Sequence, residues 1–165
     1  MDTFCVIGVD LGGTNVRSAV YEHNSGKRIS EIIAASSRAK EGVESCVNAI
    51  SEVITQSIDD SGREPQIIGM AVPGHIQEGV VRWAPNFGEW KDGLFEIWSD
   101  VPLAKKVSEK LNIPVYLGND ANLAALGEFR YGCGKNSSEC LVMFTLGTGI
   151  GFGVVFGKKS LSWGL

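Results

Sequence analysis

The chain has 165 residues, 44% hydrophobic and 21% charged, a composition that suits one globular domain with a real core and leaves too little chain for two full ones. Its net charge of −4 argues against a nucleic acid or an anionic membrane surface as the main partner, because no basic patch offsets phosphate repulsion. No apolar run reaches membrane-spanning length and the N-terminus lacks a signal-peptide layout, so a cytoplasmic protein is expected.

In chain order, residues 4–9 form an apolar run read as a strand, followed by the turn Asp10-Leu11-Gly12-Gly13-Thr14-Asn15 and a second strand-like stretch at 16–21. The polar run Asn24-Ser25-Gly26-Lys27 leads into a third strand at 29–35. Three strands joined by such short turns are antiparallel neighbours, since parallel pairing needs a long crossover. From residue 42 to about 59, Val43, Cys46, Val47, Ile50, Val53, Ile54 and Ile58 recur at helical spacing and predict an amphipathic helix. Residues 67–72 read as a short buried strand ending in Pro73-Gly74. The stretch 75–100, rich in Gly and Trp, is expected to be irregular with a hairpin at Gly79. A second helix is expected at 103–111, a strand at 114–117 and an alanine-rich helix from 121 to about 131. The order βββαβαβα makes this an α/β chain with a ribonuclease H-like lobe, an antiparallel meander continued by parallel strands with crossover helices.

After the polar, glycine-rich linker 132–138 come an apolar stretch at 141–146, the turn Gly147-Thr148-Gly149-Ile150-Gly151, and a further apolar stretch at 152–156. Laid ungapped on the start of the chain at an offset of 135, Cys5 falls on Cys140, Leu11 on Leu146, Gly12 on Gly147, Val20 on Val155 and Ser25 on Ser160. Two β-turn-β units with a glycine turn at the same place suggest a duplicated lobe. The expected organisation is a first lobe over 1–134, then a linker and the truncated start of a second lobe over 135–165, roughly a hundred residues short of a complete copy. Of the four cysteines, Cys5, Cys46 and Cys140 lie in apolar patterns as small hydrophobes. With no CxxC spacing for them or Cys133, free thiols are expected.

The motifs point to phosphate and to polyhydroxylated ligands. Glycines in the tight turn after Asp10 let the backbone approach an anion, and the exposed N–H groups of such a turn can cradle phosphate oxygens. Asp10 itself is placed to hold Mg²⁺, usually through water. The turn joins strand to strand, so it is neither a P-loop nor a dinucleotide loop, both of which open a helix. In Gly118-Asn119-Asp120-Ala121-Asn122, a helix cap accounts for one polar residue but not for three within four positions. A carboxylate at a strand end can accept an alcohol proton as that oxygen attacks phosphorus, while neighbouring amides hold sugar hydroxyls. Ala84-Pro85-Asn86-Phe87-Gly88-Glu89-Trp90 offers an amide in an aromatic setting, which suits a sugar. Trp83, Trp90 and Trp98 taken singly read as core or interface residues, and His75 as a surface residue.

Residues 10–17 (DLGGTNVR), Val72-Pro73-Gly74, Ala84-Pro85-Asn86, Asn119-Asp120-Ala121-Asn122 with Gly127-Glu128, and Leu146-Gly147-Thr148-Gly149-Ile150-Gly151 together resemble the ROK family of sugar kinases and repressors. The resemblance spans nearly the whole chain in the family's order. It implies the actin-like ATPase fold and ATP-dependent, Mg²⁺-assisted phosphorylation of a hexose, typically glucose at its 6-hydroxyl. On this resemblance Asp120 is the catalytic base, and Gly74, Asn86, Asn119 and Asp120 bind the sugar. Gly12, Gly13, Thr14, Gly147, Thr148 and Gly149 lie near the ATP phosphates, and Asp10 serves the metal-phosphate site. The first lobe is then sugar-binding and the second nucleotide-binding.

The family's Gly-Glu-x-Gly-His-like segment and the cysteine cluster that often holds a structural zinc are not in this sequence. The expectation is therefore little kinase activity from residues 1–165 alone, with either self-association into a homo-oligomer through the unpaired segment 140–156 or disorder of that segment. The alternatives are a non-catalytic or regulatory sugar-binding protein of the same type, or a kinase for fructose, mannose or an N-acetylated amino sugar. A repressor with a helix-turn-helix ahead of the first strand is disfavoured, since that strand begins by Phe4.

Overall fold

A computed structural model describes residues 4–136, 139–146, 149–157 and 159–160. The chain divides into two compact units, Met1–Leu117 and Gly118–Leu165. The first begins with β1 (Cys5–Leu11), β2 (Asn15–Glu22) and β3 (Ile33–Ser36), then α1 (Val43–Ser61) and β4 (Pro65–Val72). It continues through β5 (His75–Gln77), β6 (Val80–Lys91), β7 (Leu94–Val101) and α2 (Leu103–Leu111) to β8 (Val115–Asn119), whose last residues cross into the second unit. The main sheet has the order β3-β2-β1-β4-β8. β1, β2 and β3 form the expected antiparallel meander, and β4 lies parallel to β1 after the α1 crossover.

Alternation explains the layering. Cys5, Ile7, Val9 and Leu11 turn one face of β1 inward, where Cys46, Val47, Ile50, Val53 and Ile54 of α1 complete a shared core. Helix and sheet are also joined by a buried polar link: the Ser18 hydroxyl donates to the Val53 carbonyl (2.8 Å) and lies 2.6 Å from the Ser57 hydroxyl. α1 ends where Gly62 takes a left-handed φ of 60° and its N–H bonds Ile58 O (3.0 Å). The third strand starts later than its apolar pattern suggests. The Ser30 hydroxyl takes the Val20 N–H (2.9 Å), so a side chain replaces the ladder there and regular pairing resumes only at Ile33.

The stretch 75–100 is not irregular. β5, β6 and β7 form a separate three-stranded antiparallel sheet. Its two turns each need positive φ at both central residues: Glu78-Gly79 (51° and 79°) and Asp92-Gly93 (49° and 80°). These dihedrals match the twist of the flanking strands, which is why Asp-Gly and Glu-Gly sit there. The hairpin at Gly79 is where the sequence places it. Asp92-Gly93 carries the same kind of turn signal in the sequence.

The second unit contains α3 (Asp120–Tyr131) and the strands β9 (Cys140–Leu146), β10 (Ile150–Phe156) and β11 (Lys159–Ser160). Ala125 and Phe129 of α3 pack with Val155, Leu141 and Met143. The approach is close because both sides are small: a β-carbon at Gly153 would lie 2.6 Å from the Ala121 carbonyl oxygen and the Ala125 methyl. The repeat holds for β1 and β9, whose bounds differ by the same offset of 135. It slips at the turn, since Leu11 pairs with Val16 but Leu146 pairs with Ile150, which makes the second turn one residue shorter. Val20 and Val155, matched without gaps, are therefore not equivalent in register: Val20 faces Ile7, whereas Val155 faces Leu141.

In the first unit the β1 face carrying Ile7, Val9 and Leu11 is buried; the corresponding β9 residues Val142, Phe144 and Leu146 are exposed. Cys140 shares that exposed face and so does not behave as a core thiol. Cys133 is also exposed, whereas Cys5 and Cys46 are buried, and burial pushes the Cys46 thiol up to about 12.

Two outcomes follow from this division. A raised thiol pKa means less thiolate at any given pH, and the thiolate is the nucleophile. At about pH 8 iodoacetamide should therefore modify Cys133 and Cys140 in the folded chain and leave Cys46 intact until unfolding, as read by peptide mass spectrometry. Phe144 and Phe152 pair directly across the open face at 68% and 56% exposure, so Phe144→Ser should reduce concentration-dependent self-association in sedimentation velocity. A wild-type chain that stays monomeric at all concentrations would contradict this.

Candidate functional site

In the first unit three sequence motifs meet. The turn after β1 is closed by the Gly12 N–H on the Asn15 carbonyl (2.8 Å), which leaves the N–H groups of Gly13 and Thr14 as the donors of the turn. Asp10, exposed near the end of β1, stands opposite Arg17 in the β1–β2 register. Neither Gly12 nor Gly13 has a positive φ, so backbone conformation is not what demands glycine here. The demand at Gly13 is space. A β-carbon at Gly13 would lie 3.1 Å from the Asn86 β-carbon, 3.4 Å from the Asn86 carbonyl oxygen and 3.8 Å from the Phe87 ring.

Asn86 reaches that position through a bulge. Ala84 pairs with Trp98 and Gly88 with Ile97, so Pro85, Asn86 and Phe87 are inserted in β6 opposite a single step of β7. The bulge sends Phe87 inward, fully buried, to meet Trp98 edge-to-face at 4.9 Å. Asn86, the neighbour, stays exposed. Pro85 suits a place where no ladder hydrogen bond is required. The far end of the bulge is held by Gly88 N–H to Ala39 O (2.8 Å) and Gly42 N–H to Gly88 O (3.3 Å). The loop supplying those partners is also tied to the glycine turn, through Ser37 N–H to Thr14 O (2.9 Å).

Gly74 completes the group at the other end of the bulge. Its φ is 96°, and a β-carbon there would run into the Trp83 carbonyl and lie 3.0 Å from the Ala84 α-carbon. The Val72-Pro73-Gly74 and Ala84-Pro85-Asn86 motifs are thus one packed feature. Of the tryptophans, Trp98 is in the core with its indole Nε1 lacking a partner, while Trp83 and Trp90 are exposed. Lys91 further along β6 bonds the carboxylates of Glu89 (2.5 Å) and Glu96 (3.3 Å), which hold its ammonium pKa above the usual lysine value.

In the second unit Asn119 is the N-cap of α3, its Oδ1 accepting the Asn122 N–H at 3.2 Å, so the capping role is realised. Asp120 is the first helical residue and exposed, with Oδ1 2.8 Å from the Ala121 N–H. A β-carbon at Gly151 would come within 3.1 Å of the Ala121 methyl, so the β9–β10 turn region is packed next to the residue after Asp120. Gly149 has open space where a side chain would be. Gly147 and Thr148 lie outside the described residues.

For Mg²⁺, the described residues hold no group of three or more ligating side chains. A single exposed Asp10 fits an ion whose other ligands are phosphate oxygens and water, the usual arrangement for Mg²⁺ on a nucleotide. No described helix is long and apolar enough to cross a membrane. Phe87 and the Ser37, Ala39 and Gly42 backbone were not anticipated as parts of the site. Phe87, a large apolar residue between an exposed asparagine and a glycine, was the one local hint.

The profile of the family described as ROK matches residues 6–163. The glucokinase of Thermotoga maritima is 35% identical over 152 residues, covering 91% of this chain and 44% of that protein. The chain thus spans less than half the length of that relative. Among solved structures, the inorganic polyphosphate/ATP-glucomannokinase of Arthrobacter sp. strain KM superposes with a TM-score of 0.83 at 28% identity, covering 98% of this chain and 62% of that one. A ROK family glucokinase from Streptomyces griseus, in complex with glucose and AMPPNP, gives 0.74 at 29% identity, covering 95% and 46%.

The packing at Gly74 makes a direct forecast. Gly74→Ala adds a methyl against fixed β6 backbone at a left-handed position, and should cost about 2–4 kcal/mol of stability in urea denaturation.

Proposed function

The chain belongs to the ROK family, and on that premise we propose that it carries the sugar-recognising part of a glucokinase-like enzyme that phosphorylates a hexose, glucose at its 6-hydroxyl, with ATP. The observation that supports this most is the close approach of the Asn86 β-carbon and carbonyl to Gly13, which roots a residue with a sugar-type amide beside a phosphate-type turn within one unit. Gly74 backs the same feature.

In this reading Asn86, Gly74 and Asn119 hold the sugar. An asparagine amide offers a donor and an acceptor to adjacent hydroxyls, and a glycine lets backbone approach the ring. Asp120 takes the proton of the 6-hydroxyl as that oxygen bonds the γ-phosphorus and the bond to the ADP oxygen breaks. Gly12, Gly13, Thr14, Gly147, Thr148 and Gly149 serve the phosphates. With the Gly12 N–H engaged by Asn15, the donors from the first turn are those of Gly13 and Thr14. Mg²⁺ held near Asp10 would supply charge neutralisation on the phosphates. By role, residues 1–134 form the sugar side and 135–165 a linker and the start of the nucleotide side. The exposed face of β9 and β10 supports a homo-oligomer.

A second reading concerns the donor alone. The name of the Arthrobacter protein includes inorganic polyphosphate beside ATP, and the backbone N–H groups of a glycine turn suit phosphate oxygens in either. Titration calorimetry tests the sugar side. Glucose should bind the chain with measurable heat, and Asn86→Ala should weaken that binding about tenfold or more, the worth of one good hydrogen-bonded contact. Absence of glucose binding, or binding indifferent to Asn86, would overturn the reading.

A further inference from the structure

Gly12 and Gly13 look alike in sequence, yet they are glycine for different reasons. Neither has a positive φ. A β-carbon at Gly12 would make only an ordinary contact, 3.4 Å from the Asn15 carbonyl oxygen. One at Gly13 would press at 3.1 Å on the Asn86 β-carbon, which has little room to retreat. Behind Asn86, Phe87 is fully buried against Trp98, and Gly88 is pinned by its bonds to Ala39 and Gly42. In front, the turn is pinned through Thr14 to Ser37. Turn, loop and bulge therefore close a circuit of contacts in which the missing side chain of Gly13 is the gap that Asn86 fills.

We propose that Gly13 is a positioning residue for sugar recognition: by leaving out a β-carbon it seats Asn86 and sets the reach of that amide, in addition to any part its N–H plays at phosphate. The proposal rests on the reading of Asn86 as a sugar ligand. It also ties the two halves of that reading together, because an anion that moves the turn moves the Asn86 seat, and a sugar that draws on Asn86 moves the turn.

A double-mutant cycle tests the seat without any ligand. Gly13→Ala should lower the Tm by about 3 °C, the shift that roughly 1 kcal/mol gives in a chain of this size. The same substitution should cost nothing in an Asn86→Gly background, where the opposing β-carbon is gone. Additive shifts would overturn the proposal. If Gly13→Ala does not fold, Asn86→Gly alone decides: the Gly13 amide resonance should move while those of Val6 to Val9 stay, and an unmoved Gly13 would count against the seat.

The functional half is read by calorimetry well below the Tm, where a loss of stability alone leaves affinity unchanged. Gly13→Ala should weaken glucose binding about tenfold and change the ratio of glucose to mannose affinity. Unchanged affinity and ratio would limit Gly13 to packing and overturn its positioning role. If the wild-type chain binds neither sugar, the sugar reading of Asn86 fails and the positioning role falls with it, while the thermal cycle still decides the seat by itself.

Discussion

The first unit is organised around one large side chain with nowhere else to go. Phe87 follows two exposed positions, Pro85 and Asn86, in a long strand, and its burial against Trp98 stabilises the unit by roughly 2–3 kcal/mol plus about 1 kcal/mol for the aromatic pair. That burial cannot coexist with regular pairing between β6 and β7. The strand therefore accommodates three extra residues opposite one step, and Asn86 is thrown outward as Phe87 goes in. A core residue thus sets where a polar side chain is presented. The seat at Gly13, the close packing at Gly74 and the clamps at Ala39 and Gly42 all follow from where the bulge lands.

The second unit solves a similar problem with smaller parts. Gly151 and Gly153 of β10 let Ala121 and Ala125 of α3 come close, which fixes the first turn of the helix and with it the position of Asp120 on its own unit. The same pattern of β-turn-β serves both units, but the turns differ by a residue and the neighbours differ entirely. One hairpin face is buried under α1; the corresponding face on β9 is exposed. Duplicated strands here share a backbone plan without sharing an environment.

Much of the fold was legible because its signals are local. The apolar runs of β1 and β2, helical spacing in α1 and turn residues at Gly79 each act within a few residues. β6 escaped because its burial follows no period of two: Val81 and Ala84 are buried on opposite phases, and Phe87 and Gly88 are buried as neighbours at the bulge. The Asp92-Gly93 turn carried a readable signal that the broken pattern obscured. Ser30 shows a different limit, since its hydroxyl replaces a ladder bond and delays the start of a strand that the apolar pattern begins at residue 29. For the site, residue types were legible and proximity was not. Asn86 looks like a sugar ligand in sequence, and Gly13 like part of a phosphate turn. Only the folded chain shows that the two touch, because that contact depends on a core residue and on a loop, 37–42, that is remote from both in sequence.

The central claim is that Asn86, Gly13 and Gly74 form one sugar-responsive feature. Chemical-shift mapping of the isotopically labelled chain during a glucose titration tests it most directly. The account predicts that the Asn86 side-chain amide and the Gly13 and Gly74 backbone amides shift together along one saturation curve, with the far turn at Asp92-Gly93 unmoved. Saturating glucose that leaves all three unshifted, or that shifts Asn86 while Gly13 stays still, would contradict it.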